Sequence, residues 1–339
     1  MRILVDVLGG DNAPKAVLEG AVSALKKESD LNLILVGPQK AIEEALAKGG
    51  IDPSRVEILP SEVAVTNEDH PSLFLKQKPD SSLSICFEAL RKRDDIDAMV
   101  SAGPTGALLT GTVLRVGRLP GVSRPALLAT LPTRKEGFVR LVDAGANMDC
   151  KSEYLVQFAL MADAYLKLLG IASPRIATLS VGQEEGKGNE LVKETYAALK
   201  QTSLNFIGNM EGDHVLSGDA DVVVCDGFAG NVFLKSLEEG AYFISDLFKA
   251  ALYRNIFTKL GALLQLKGLK KVKEPFNHAR KACAPLLGAK KLVLKCHGKS
   301  EAETFEATIL EGNRLAKLGL QEKIAEAISS LGQVEPKAD

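Results

Sequence analysis

No stretch of about 18 uncharged apolar residues occurs in this chain, so the sequence predicts no membrane-spanning helix. Cysteine is sparse and scattered. The five thiols, Cys86, Cys150, Cys225, Cys283 and Cys296, form no C-x-x-C pair, and their number is odd. That argues against a zinc finger or a disulfide framework and points to a reduced, cytoplasmic protein. Neither sign of charge dominates. The formal net charge of −1 leaves no global field to recruit nucleic acid. No internal repeat is visible. Met1–Asp6 reads as the start of a strand and not as a signal peptide, and only a tail, 332–339, reads as disordered.

What is present is a globular composition. Hydrophobic residues make up 46% of the chain and charged residues 25%, enough for a core of useful size. The length suits one large α/β domain or two small ones, and we read residues 1–331 as one. Short apolar runs recur at Ile3–Val7, Leu31–Val36, Val56–Leu59, Ile96–Val100, Ala126–Leu131, Phe138–Val142, Ile176–Val181, Asn205–Ile207, Asp221–Cys225 and Leu292–Lys295. Between them lie segments with apolar spacing near 3.6, such as Ala13–Lys27, Gln39–Lys48, Ser82–Lys92 and Glu153–Leu169. That alternation predicts a mainly parallel sheet with helices on both faces. Arg134-Lys135-Glu136-Gly137 reads instead as a hairpin turn.

Glycines and polar residues follow many of these runs. Gly9-Gly10-Asp11, Ser101–Gly106, Asp143–Asn147, Asp226–Asn231 and Cys296-His297-Gly298 all do so, and ligands of open α/β sheets bind beyond strand ends. Their number predicts one shared rim. The clearest is the unit Arg175–Thr195: an apolar run, a turn Gly182-Gln183-Glu184-Glu185-Gly186-Lys187-Gly188-Asn189, and a helix start. Unpaired N–H groups at a helix start, close-packing glycines and one lysine form a phosphate-holding pattern. By itself the same turn also fits an ordinary βα connection with a solvated lysine.

Taken in order, Asp6-Val7-Leu8-Gly9-Gly10-Asp11, Asp80-Ser81-Ser82, Thr105-Gly106-Ala107, Asp143–Asn147, Gly186–Leu191, Cys225–Asn231, Ala284–Gly288 and His297-Gly298 resemble the PlsX family of phosphate acyltransferases of bacterial phospholipid synthesis. The resemblance implies a three-layer α/β/α sandwich with a mainly parallel sheet, similar to the phosphotransacetylase and isocitrate/isopropylmalate dehydrogenase-like fold. It implies transfer of a fatty acyl group from acyl carrier protein to inorganic phosphate, with no cofactor and no metal. The acyl phosphate then feeds glycerol-3-phosphate acyltransferase. The implied enzyme is a homodimer at an anionic membrane surface. The sequence departs from the usual pattern at Leu8, Asn12, Pro104 and Lys281-Ala282-Cys283.

Phosphate attack on a thioester needs a positioned phosphate and charge stabilisation at the carbonyl oxygen, and no nucleophilic side chain. Lys187, Asn231 and His297 are the expected catalytic residues. Ser82, Thr105, Gly186, Gly188, Asn189 and Gly230 are expected to contact phosphate or substrate, although Ser82 and Asn231 also suit helix caps. Asp6, Asp11 and Asp226 are expected to order the loops by accepting N–H groups, since a carboxylate facing phosphate repels it. Cys225 reads as core.

A second signal is Ala241–Leu266, strongly apolar but broken by Asp246, Lys249, Arg254 and Lys259, and followed by Lys267, Lys270, Lys271 and Lys273. An amphipathic segment at about 238–275 with a basic flank suits an anionic bilayer surface or an acidic carrier protein. Phe243, Leu247, Phe257, Leu260, Lys267, Lys270 and Lys271 are the expected contacts. A dimer-interface helix gives the same pattern. Among rival functions, a P-loop enzyme lacks both the four-residue glycine spacing and the Ser/Thr at Gly188. A nicotinamide-dependent dehydrogenase lacks a metal-binding aspartate cluster. An acetyl-CoA phosphotransacetylase or an inactive membrane adaptor are the remaining rivals.

Overall fold

A computed structural model of the chain describes residues 1–135, 137–265, 268 and 283–331. Among these, eleven strands join in one sheet in the order β3-β2-β1-β4-β11-β10-β5-β6-β9-β7-β8. The strands are β1 (Arg2–Asp6), β2 (Asn32–Gly37), β3 (Val56–Pro60), β4 (Ala98–Ser101), β5 (Ala126–Pro132), β6 (Phe138–Val142), β7 (Ile176–Ser180), β8 (Phe206–Glu211), β9 (Val222–Val224), β10 (Ala284–Leu287) and β11 (Leu292–Lys295). All ten expected runs form strands. The addition is β10, a four-residue strand containing Pro285.

Alternation along each strand sends side chains to opposite faces. Ile3, Val5, Val100 and Leu294 pack on the back with helices α1 (Lys15–Lys27), α6 (Ser152–Leu168), α10 (Ala302–Lys317) and α11 (Leu320–Leu331). Leu4, Met99 and Val293 pack on the front with α3 (Phe74–Gln77), α4 (Ser82–Lys92) and α5 (Thr105–Gly111). Farther along the front, Val139, Leu141 and Val223 carry Ala229, Phe233 and Leu237 of α8 (Gly227–Leu252). These layers give the expected α/β/α sandwich. Helices α2 (Gln39–Gly49) and α7 (Glu190–Lys200) belong to the back layer, and α9 (Ile256–Leu264) follows α8.

The sheet is mainly parallel, as expected, but its two halves run in opposite directions. Strands β1, β2, β3, β4 and β11 run parallel. Antiparallel pairing of β10 with both β11 and β5, and of β5 with β6, then reverses the direction for β6, β9, β7 and β8. The ends of β1, β4 and β11 therefore lie on one edge of the sheet, and those of β6, β7 and β9 on the opposite edge. The expected single rim is two, because the β5–β6 hairpin reverses half the sheet.

Phe87 locks the front layer. Its ring meets Phe74 at 6.5 Å and is fully buried. A side chain at Gly111 would lie 2.1 Å from it, so α5 approaches α4 only with glycine there. Phe87→Ala is expected to destabilise the fold by about 3–5 kcal/mol through the cavity it leaves. A urea midpoint equal to that of the unsubstituted chain would contradict this packing.

Candidate active site

The first edge is built on Asp6. Its buried carboxylate accepts hydrogen bonds from Ser82 Oγ at 2.5 Å and Ser101 Oγ at 2.7 Å, and Ser101 Oγ accepts from Gly103 N at 2.9 Å. Burial raises the Asp6 carboxyl above its ordinary pKa, against the two hydroxyls and the Leu8 N–H that lower it. Gly9 is a close-approach position: a side chain there would start 2.6 Å from Asp6 Oδ2. Asp6 thus ties the end of β1 to the start of α4 and the end of β4. Ser82 differs from its expected role. It is 1% exposed and gives its proton to Asp6, while Ser81 caps α4 through Ser84 N. Its hydroxyl proton is thus committed to Asp6.

Asp11 also differs. It ties its loop to the next through its backbone N–H, which donates to Gly298 O at 2.7 Å, and its carboxylate is exposed. Asn12 adds a side-chain bond to Ser300 O at 3.1 Å, so this departure from the family pattern keeps a loop contact. Thr105 opens α5 and is half-buried. His297 is exposed, and its Nδ1 accepts from Lys299 N at 3.1 Å, which leaves Nε2 to carry the proton of the neutral ring.

The opposite edge is built on Asp143. Its Oδ1 accepts from Leu127 N, Gly145 N and Ala146 N, and its Oδ2 from Asn147 N and Asn147 Nδ2, at 2.6–3.1 Å. Burial nonetheless raises its pKa. The sequence marks this residue only as an aspartate ending an apolar run before Ala-Gly-Ala-Asn, and its organising role is a structural finding. The start of α8 sits directly on this loop. A side chain at Gly230 would lie 1.9 Å from Asp143 O, and one at Gly227 would lie 2.6 Å from Asn147 O. Asp226 caps α8 by accepting from Ala229 N at 2.8 Å.

Asn231 is therefore not a cap. It lies in the second turn of α8, half-buried, with its Cβ 3.2 Å from the Cβ position of Gly145. The β7 exit turn presents Lys187, exposed, with its backbone N–H bonded to Glu184 O. Gly188 has φ +99°, which only glycine adopts readily, and Gly186 faces open space. Asn189 is the α7 cap, accepting from Val192 N at 3.0 Å. A cavity of about 280 Å³ between the starts of α7 and α8 is lined by Asn189, Leu191, Asp226, Phe228, Asp149 and Cys150. Two helix N-termini thus flank it, with their unpaired N–H groups and positive dipole ends.

A family model described as fatty acid synthesis protein matches residues 1–323. The phosphate acyltransferase of Alkaliphilus oremlandii is 42% identical over 336 residues, covering 99% of each chain. That of Thermoanaerobacter pseudethanolicus is 41% identical over 333 residues, covering 98% of each. The chain belongs to the phosphate acyltransferase family. It is an acyltransferase. In fold it is similar to a phosphotransacetylase from Streptococcus pyogenes, with a TM-score of 0.58 at 19% identity, covering 97% of this chain and 94% of that one.

The cysteines of this acyltransferase are poor nucleophiles. Burial pushes the Cys150 thiol up to about 12 and Cys296 up to about 11, and Cys225 is core, as expected. Among the described residues, Glu211, Asp213 and His214 bring three potential metal ligands within 4.8 Å of one another at the end of β8. His214 Nδ1 and Asp213 Oδ1 are already paired at 2.8 Å. No described helix is long and apolar enough to cross a membrane. Beyond Glu238, α8 leaves the core: Phe243 is 62% exposed and Leu247 56%, and in α9 Phe257 is 80% and Leu260 56% exposed. Lys267, Lys270 and Lys271 lie outside the described residues.

Gly230→Ala must separate α8 from the Asp143 loop. A drop in acyl-transfer rate of at least tenfold, with a lower melting temperature, is the expected result. Wild-type values for both would show that this contact does not position Asn231.

Proposed function

We propose that this acyltransferase moves a fatty acyl group reversibly from acyl-[acyl carrier protein] to inorganic phosphate, giving acyl phosphate for glycerol-3-phosphate acylation in phospholipid synthesis. The observation that supports the reading is the cavity flanked by Asn189, at the end of the Lys187 turn, and by Asp226 and Phe228, at the start of the helix that carries Asn231. An oxygen of the phosphate dianion attacks the thioester carbon. A C–O bond to phosphorus-bound oxygen forms, the C–S bond breaks, and the carrier leaves as thiolate. Lys187 holds phosphate or the developing oxyanion, and the Asn231 amide donates to the same oxygen. Gly186, Gly188 and Gly230 keep backbone and side chains out of the way, and Asn189 fixes the α7 start whose N–H groups face the anion. Thr105 and His297, from the other edge, contact the substrate. The buried thiols and the absence of any need for a covalent intermediate support direct attack.

The exposed apolar residues of α8 and α9 suit a peripheral, anionic membrane surface, the carrier protein, or a second copy in a homodimer. We place the enzyme in the cytoplasm at that surface, next to glycerol-3-phosphate acyltransferase. An acetyl-CoA phosphotransacetylase would need neither the carrier nor this surface.

Phosphate-dependent thiol release from palmitoyl-carrier protein tests the reaction. Lys187→Ala should lower it by about two orders of magnitude, the scale of one lost oxyanion contact. Undiminished release by the variant would remove Lys187 from the site, and no release by the wild type would remove the reaction. For the surface, Phe257→Glu combined with Leu260→Glu should cut co-sedimentation with phosphatidylglycerol vesicles at least tenfold. Unchanged sedimentation would assign these residues to another contact.

A further inference from the structure

One polar row crosses the front face of the sheet. Val5 pairs with Val100, which sets Asp6 beside Ser101, and Ser101 pairs with Lys295. Lys295 pairs on its other side with Ala284. Since Val293 lies in the front core, Lys295 two residues on shares that face. The β10–β5 register brings Ala129 next in the row. Lys295 thus stands between the Asp6–Ser101 pair and two alanines, which offer it no polar group.

Among the described residues, its charge has no counter-charge in contact. Lys295 Nζ donates to Cys296 O at 3.0 Å, and no carboxylate among the described residues lies within 4 Å of it. The charges of α8 that act on Lys295 are those of Lys235 and Glu238, and these pair with each other at 2.7 Å. Burial lowers the Lys295 pKa, with Cys296 and Glu238 opposing and Lys235 reinforcing that shift. A half-buried ammonium beside an already neutral ion pair is stabilised by an incoming anion.

Along α8, Asn231, Lys235 and Glu238 are spaced i, i+4, i+7 and form one stripe, about 10 Å long. The stripe begins at the Gly145 contact of Asn231 and ends at the two charges that act on Lys295. We propose that Lys295 is a substrate-contacting residue whose ammonium engages the phosphoryl oxygens of inorganic phosphate from the half of the sheet opposite Lys187. This rests on the phosphate-acyltransfer reading.

The test compares the wild type with Lys295→Met, Lys295→Gln and Lys295→Arg. In Lys295→Met and Lys295→Gln, KM for phosphate should rise at least tenfold while KM for acyl-carrier protein stays within twofold. Lys295→Arg should recover most of the loss. Independently, millimolar phosphate at constant ionic strength should raise the melting temperature of the wild type and not that of Lys295→Met. A wild-type KM for phosphate and a wild-type melting shift in the folded Met or Gln variant would overturn the assignment. A raised KM for the carrier alone would do the same. If the wild type released no thiol but kept a Lys295-dependent melting shift, the anion contact would stand and the reaction assignment would fall.

Discussion

Each functional edge of the sheet depends on a carboxylate buried at a strand end. An ionised carboxylate taken out of water costs several kcal/mol unless donors surround it. Asp143 collects five N–H donors, four of them from its own loop and one from β5. Asp6 collects two serine hydroxyls from separate elements. In both places the compensation requires the loops to take one shape. That shape then decides where α8 starts and where Gly9, Gly103 and Thr105 lie. The aspartates do not need to touch substrate to control what does.

Much of the fold was legible because its signals are local. Apolar runs such as Leu31–Val36 and Ile176–Val181 became strands of the sheet. Strand β10 escaped notice because it is four residues long and contains proline, which normally marks an edge or a break. The split rim escaped for a different reason. The hairpin turn at 134–137 could be read, but reversal of strand direction across half a sheet is a property of pairing, not of any window of sequence.

The site was legible to a similar depth. Residue type and turn chemistry pointed to Lys187, Gly188 and Asn231, and the structure puts Asn189, at the end of the Lys187 turn, and the α8 start about one cavity. They could not distinguish Ser81 from Ser82, since the partner of Ser82 is 76 residues away. Asp11 was assigned a carboxylate role that its backbone performs. Lys295 gave no signal at all: a lysine ending an apolar strand looks like a solvated terminus until its neighbours in the sheet are known.

The short strand at the middle of the sheet has a mechanical consequence. On each side β10 is registered by only two residue pairs, against five between β1 and β2, and Pro285 offers no N–H to its neighbour. The halves carrying the two edges are therefore stitched together where the stitching is thinnest. A twist at this seam disturbs few hydrogen bonds, yet it changes the gap between helices on the front face. The molecule has a crease, and the crease runs beside Lys295.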